Sequence, residues 1–259
     1  MDSLLNVSNL TKQYRRSRGI FSSDLRCAYE DINFTLEKGK TLSIIGESGS
    51  GKSTLVQTIA GLRTQTGGDI HLHGQSLAQV SLQERCKSIR MLFHAPSNSL
   101  NPKATIGRIL TAPLQLNSNL TAIQREQQIK NTLSLVGLLP DYLAFYPNML
   151  SSVQQHQVAI ARAMILDPDI IIADEILAGL DISLRFKLVN LLLNIQEQKG
   201  VSIIIVAHNM SLVRHISDNI IVMHDGKIVE NDITENVYNS PKSAKTKHLL
   251  QSHKPDYRK

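Results

Sequence analysis

A chain of 259 residues with 42% hydrophobic and 19% charged side chains can bury a sizeable core, and this composition argues against disorder except at the ends. A formal charge of +6 permits contact with an anionic surface without requiring one, because basic groups such as Arg15, Arg16 and Arg18 ordinarily form a solvated face. The two cysteines, Cys27 and Cys86, are far apart and have no Cys or His companions at metal spacing, which fits a reducing compartment and ordinary packing better than a disulfide or a zinc site. No apolar run reaches the length of about 18 residues that spans a bilayer. The opening MDSLLNVSNLTKQY lacks the basic start and apolar run of a secretory signal.

Along the chain, residues 3–14, 28–37 and 69–74 alternate apolar and polar residues and predict an antiparallel layer. TLSIIG (41–46) is a short apolar run rich in Ile, bounded by Gly, and predicts a buried strand followed by a helix over 52–62. From about 95 to 165 the pattern becomes helical, interrupted at LNP and YPNML, as expected of a helical subdomain inserted into the core. DIIIAD (169–174) and VSIIIVAH (201–208) predict two more buried strands, with helices over 181–199 and 209–217. In NIIVMHDGKIVE (219–230), HDG reads as a hairpin turn. The tail after about 240 is basic and is expected to fray at its end. Strands alternating with helices make this an α/β chain with a mostly parallel sheet.

GESGSGKST (46–54) matches the phosphate-loop pattern in full, after a strand and before a helix, the context that gives the pattern its meaning. Gly46, Glu47, Ser48, Gly49, Ser50, Gly51, Lys52, Ser53 and Thr54 are the candidate nucleotide-binding residues. Gly49 and Gly51 let backbone amides face the phosphates, Lys52 reaches the β- and γ-phosphates, and Ser53 places a hydroxyl on Mg²⁺. DIIIADE delivers Asp174 and Glu175 at the C-terminal end of a buried strand, where ligands bind in such sheets. Asp174 is placed to hold the water shell of Mg²⁺, and Glu175 to orient or deprotonate the attacking water. His208 ends the next strand and is the candidate γ-phosphate contact.

Taken in this order, these residues resemble the nucleotide-binding subunits of ABC transporters, over about residues 3–252. PSNSLNP (96–102) is similar to a segment of the oligopeptide and dipeptide branch, and VGLLPDYLAFYPNML and ADEILAGLDISLR look closest to ATPases that transport antimicrobial peptides. The resemblance implies a P-loop (RecA-like) ABC ATPase core with an N-terminal antiparallel β layer and an inserted helical subdomain. That makes one nucleotide-binding domain over 1–252, with core segments 1–94 and 165–240, a helical subdomain over about 95–164 and a basic tail over 241–259. It implies ATP and Mg²⁺ as ligands, Tyr14 stacked on adenine, and two ATPase subunits meeting head to tail, with Asp181 in ILAGLD crossing the interface. The implied partners are a second, different ATPase chain, two transmembrane permease subunits and, indirectly, a periplasmic peptide-binding protein, with no nucleic acid. The implied location is the cytoplasmic face of the bacterial inner membrane.

Two departures from the family pattern stand out. The signature LSGGQ is LSSVQ here, with Ser151 and Gln154 retained and both glycines replaced, by Ser152 and Val153. A helix N-terminus that addresses a γ-phosphate needs its backbone close to the anion, so Val153 is expected to crowd the phosphate or stiffen the turn. The S-x-x-Q spacing of Ser151 and Gln154 also fits a capping box, and both readings can hold. His94 and Ala95 replace the family's Gln and a small acidic residue where core and helical subdomain join. His94 can still hydrogen-bond near the nucleotide, with shorter reach and a protonation that varies near neutral pH. The intact phosphate loop beside an altered signature points to an ATPase with two unequal sites. A regulatory ATP-binding subunit with little turnover and, less favoured, a soluble ABC ATPase remain as alternatives.

Overall fold

A computed structural model describes residues 3–17, 23–93 and 99–252. The chain divides into two compact units, Met1–Leu82 with Ile204–Lys259, and Gln83–Ile203.

In the first unit, β1 (Ser3–Ser17) and β2 (Ser23–Glu37) pair antiparallel, from Ser3 opposite Glu37 to Ser17 opposite Ser23. β4 (Gly67–Leu72) and the short β5 (Gln75–Ser76) complete a four-stranded sheet in the order β2-β1-β4-β5. This is the antiparallel layer that the alternating pattern predicts. The second sheet starts from β3 (Thr41–Gly46), buried at every residue, as a strand covered on both faces must be. β3 pairs parallel with β9 (Asn219–His224), and β10 (Lys227–Ile233) returns antiparallel along β9 through the turn at Asp225 and Gly226. α1 (Lys52–Ile59) follows β3 directly. Later come α7 (Met210–Ile216), α8 (Thr234–Asn239) and α9 (Ala244–Ser252), the last lying within the stretch read from sequence as a tail.

In the second unit, β6 (Ile89–Leu92) pairs parallel with β7 (Ile170–Asp174), which is wholly buried. Before β6 comes α2 (Leu82–Ser88), and after it α3 (Ile106–Asn117), α4 (Ala122–Leu135), two 3₁₀ turns (Pro140–Ala144 and Pro147–Met149) and α5 (Ser152–Met164). α4 opens on a capping box, Thr121 with Gln124. α6 (Ile182–Lys199) begins at Asp181 and ends at Gly200, which supplies the left-handed cap at φ 66°. β8 (Ser202–Val206), the third fully buried strand, runs through the division between the units. Each completely buried Ile or Val contributes about 1.5–3 kcal/mol, so these short strands anchor both units. The architecture is the α/β fold with a mostly parallel sheet that the sequence implies. Among the described residues no helix is long and apolar enough to cross a membrane.

Candidate nucleotide site

The phosphate loop is built by contacts within the first unit. Lys52 is 4% exposed, and its ammonium donates to the carbonyls of Gly46 and Glu47, each at 2.8 Å, and to Ser50 Oγ at 3.4 Å. The loop therefore curls around its own lysine. The three glycines are required for two different reasons. A Cβ on Gly46 (φ 146°) would lie 2.1 Å from the Met223 carbonyl oxygen, and one on Gly51 (φ 101°) 2.4 Å from that of Ala28. Gly49 has open space around it and is constrained only by its φ of 83°. Glu47 and Ser48 are exposed, and Ser53 and Thr54 are half-buried in the first turn of α1.

Support for the loop comes from segments remote in sequence. The Gly226 amide donates to the Ser50 carbonyl at 3.2 Å, and the Gly226 carbonyl accepts from Glu30 N at 3.0 Å. His224 Nδ1 lies 3.7 Å from the Glu47 carboxylate. The HDG turn is thus a buttress for the phosphate loop as well as a hairpin. From β2, Tyr29 donates to Thr58 Oγ1, which in turn donates to the Thr54 carbonyl, both at 2.8 Å. Burial pushes the Tyr29 phenol up to about 12, against the opposing pull of the Thr58 hydrogen bond, so it stays a donor. None of these supports follows from the loop motif, because each depends on which strands become neighbours.

Two more predicted residues belong to this unit. Tyr14 lies on β1 just beyond an irregularity in register at Lys12–Gln13, with Lys12 Nζ 4.9 Å from its ring centre. Arg63 lies 5.8 Å from the same ring centre and donates to the Tyr14 hydroxyl at 3.0 Å. The ring is held by cations, an arrangement that favours an electron-rich face. His208 is exposed, two residues beyond β8 and just before Asn209, whose side chain caps α7 by accepting from Leu212 N at 3.0 Å.

The second unit holds the other set. Asp174 closes β7 at 8% exposure. Glu175 follows at φ 53°, a left-handed conformation that costs a residue with a Cβ about 1–2 kcal/mol. A strained acidic residue at a strand end is a feature that packing alone does not require. Ser151 is the N-cap of α5, and the capping box is formed: Ser151 Oγ accepts from Gln154 N at 3.4 Å, and Gln154 Oε1 accepts from Ser151 N at 2.9 Å. Gln154 also donates to the Tyr142 hydroxyl at 2.7 Å. Ser152 and Val153 are the first two helical residues, and neither has a positive φ. The turn itself does not need glycine, so Val153 imposes no strain on the backbone here. Asp181 caps α6, accepting from Leu184 N at 3.0 Å. His94 lies outside the described residues. At the far end of α5, Arg162 donates to the carbonyl of Ser99 at 2.5 Å and to its hydroxyl at 3.3 Å.

Each unit offers an oxygen donor of the kind that Mg²⁺ takes. Ser53 offers a hydroxyl and Asp174 a carboxylate, and among the described residues no group of three or more His, Cys, Asp or Glu forms a metal cage. Mg²⁺ commonly takes one or two protein oxygens and fills its octahedron with phosphate oxygens and water.

A strand–loop–helix phosphate cradle with an Asp–Glu pair ending a buried strand defines a P-loop ATPase cassette. The ABC transporter family pattern matches residues 29–178, and the chain belongs to that family. It is similar over 253 residues, at 44% identity, to the putrescine export system ATP-binding protein SapF of Escherichia coli K12, covering 98% of this chain and 94% of that protein. Identity is also 44%, over the same shares, to the peptide transport system ATP-binding protein SapF of Salmonella typhimurium. The dipeptide transport ATP-binding protein DppF of E. coli K12 is 37% identical, over 96% of this chain and 76% of that protein. Among solved structures, cbiO1 of Clostridium perfringens, part of the ABC transporter complex cbiONQ, matches with a TM-score of 0.80 at 27% identity, covering 93% and 92% of the two chains. The ATP-binding cassette MJ0796, a dimer bound to ADP and phosphate after hydrolysis, matches at 0.76 and 27% identity, over 89% and 98%. The chain is an ATP-binding subunit that couples ATP hydrolysis to transport.

Proposed function

We propose that this chain is one of two different ATPase subunits of a peptide-importing ABC transporter, and that its own ATP is the one hydrolysed. In this reading the loop Gly46–Thr54 holds the triphosphate, Lys52 exchanges its loop carbonyls for the β- and γ-oxygens, and Tyr14 stacks on adenine. Ser53 and Asp174 hold Mg²⁺, which neutralises phosphate charge when bound. Glu175 takes the proton of the attacking water, and His208 contacts the γ-phosphate, with His94 as a further polar contact. Ser151, Ser152, Val153 and Gln154 face the partner's nucleotide, and Asp181 reaches across the interface. The core is 1–94 with 165–240, the helical subdomain about 95–164, and the last residues, 241–259, a basic extension. The complex sits on the cytoplasmic face of the inner membrane with two permease subunits and receives cargo from a periplasmic peptide-binding protein. Peptide cargo is supported by the names of the Salmonella SapF and E. coli DppF proteins, while E. coli K12 SapF is named for putrescine export, so cargo and direction are settled by transport assay.

The observation that carries the asymmetry is the α5 N-terminus. It keeps its cap and its helix dipole, a favourable term of about 0.3–2 kcal/mol toward an anion, but presents Val153 where close approach is needed. In the reconstituted transporter, Glu175→Gln should remove most ATPase activity. Persistence of activity, with loss only on the equivalent change in the partner, reverses the assignment of the two sites. Little turnover in wild type, with ATP bound and unchanged after a single-turnover chase, supports the regulatory reading favoured by Val153.

A further inference from the structure

His156, on the second turn of α5, is 6% exposed and touches two carbonyl oxygens. Its Nδ1 lies 2.7 Å from the Ser152 oxygen and its Nε2 3.1 Å from the Ile176 oxygen. Ser152 belongs to the signature turn, and Ile176, itself 2% exposed, follows Glu175 directly. We propose that His156 is a positioning residue, linking the backbone that carries Glu175 to the turn that faces the partner's nucleotide. The proposal rests on the functional reading above, in which those two segments serve opposite ATP sites.

The chemistry singles out this side chain. Both partners are acceptors, so a neutral ring donates to one carbonyl and only the imidazolium donates to both. The ring is a rigid planar spacer with two torsions, so a shift at one carbonyl is passed to the other without being absorbed by side-chain freedom. Glu175 has a reason to need such a hold. Its left-handed backbone persists only where neighbours over-determine it, and two contacts do so: Ala178 N donates to the Glu175 carbonyl at 3.1 Å, and His156 fixes the next carbonyl along. At the other end of the same helix, Arg162 donates to the Ser99 carbonyl, at the start of the SLNP segment. One helix is thereby attached at its start to the Glu175 segment and at its end to the SLNP segment.

The experiment measures kcat and KM for ATP in the assembled transporter for wild type, His156→Ala, His156→Asn and His156→Gln, with Glu175→Gln as the reference. An outer-sphere positioning group is worth about 10–100-fold, so His156→Ala is expected to lower kcat at least tenfold with KM within about twofold. Gln carries two N–H donors on one nitrogen and is expected to recover most of the loss. Asn, with a shorter reach, can meet Ser152 but not Ile176, and should resemble Ala. Should Ala prevent folding, the Asn–Gln pair carries the comparison. Wild-type kcat in the Asn variant, or a rise in KM and a lower melting temperature with kcat intact in Ala, overturns the proposal. Unchanged turnover in Glu175→Gln instead overturns the functional reading, so the two failures are distinguishable.

Discussion

Gly46, Gly49 and Gly51 are equivalent in the motif and unequal in the molecule. The spacing of the loop is legible from sequence because phosphate chemistry dictates it, but the reason each glycine is needed is not. At Gly46 and Gly51 the obstacle is a carbonyl from β9 or β2, Met223 or Ala28, more than 20 residues away in the chain. Gly49→Ala should therefore cost only left-handed strain, about 1–2 kcal/mol. Gly46→Ala and Gly51→Ala add overpacking against backbone that cannot swing away, and should cost about 2–5 kcal/mol. Urea unfolding of the three variants tests the order. Equal losses in all three would show that the carbonyls yield. The same distinction applies to His156: a lone histidine on a helix announces nothing in sequence, and only the fold brings Ile176 to its ring.

At the scale of elements, the strands were the most readable part, because a run such as DIIIAD can be satisfied only by burial on both faces. Helix ends were less so. The helix expected over 52–62 stops at Ile59, where Gly61 and its neighbours bond back to Gln57 and Thr58 in a turn, and α9 arises from a stretch whose basic composition suggested only a tail. What fixes α9 is Glu230 on β10, 6% exposed, whose two oxygens accept from the amides of Lys242 and Ser243 at 2.9 Å each. Burial pushes its carboxyl up, but the Thr246 hydroxyl and those amides outweigh it and hold it below the usual carboxylate range. A carboxyl depressed on folding contributes stability above its ordinary range and loses it as pH falls through the folded value. Half-buried Asp232, accepting from Lys242 and Asn236, is lowered to about 2 and follows the same sign. α9 should therefore loosen as pH falls below the usual carboxylate range toward about 2. Glu230→Gln should loosen it at neutral pH by about 1–3 kcal/mol, since an amide N–H then faces a backbone donor. Hydrogen exchange over 244–252 reads both effects, and protection unaltered by the substitution would rule out this anchor.

For the whole molecule, the family and its nucleotide chemistry were legible because they reside in contiguous motifs, LSSVQ included. The effect of the altered signature was legible only in part. Sequence allowed either crowding or a stiffened turn; the backbone at Ser152 and Val153 is ordinary helix, so under the proposed function crowding is the effect to test. Crowding acts on association: a homodimer would bury two altered signatures against two ATP molecules, whereas a mixed dimer buries one. The Glu175→Gln chain with ATP should thus remain monomeric in light scattering and pair when a second ATPase with an intact LSGGQ is added. Ser152→Gly with Val153→Gly should allow the chain to self-associate. ATP-dependent homodimers without that repair would show that Val153 is accommodated.

The folded-back ammonium of Lys52 bears on how nucleotide-free controls are chosen. Its donors already hold the Gly46 and Glu47 carbonyls, so under the proposed function triphosphate capture is an exchange of acceptors within a loop that the same group shapes. Truncating the side chain would remove a ligand and a scaffold together, leaving two carbonyls without their cation. A variant at 52 is therefore a compound lesion. Charge added at the exposed Ser48, by contrast, repels the anion while leaving that internal clamp in place, and is the cleaner way to silence this subunit.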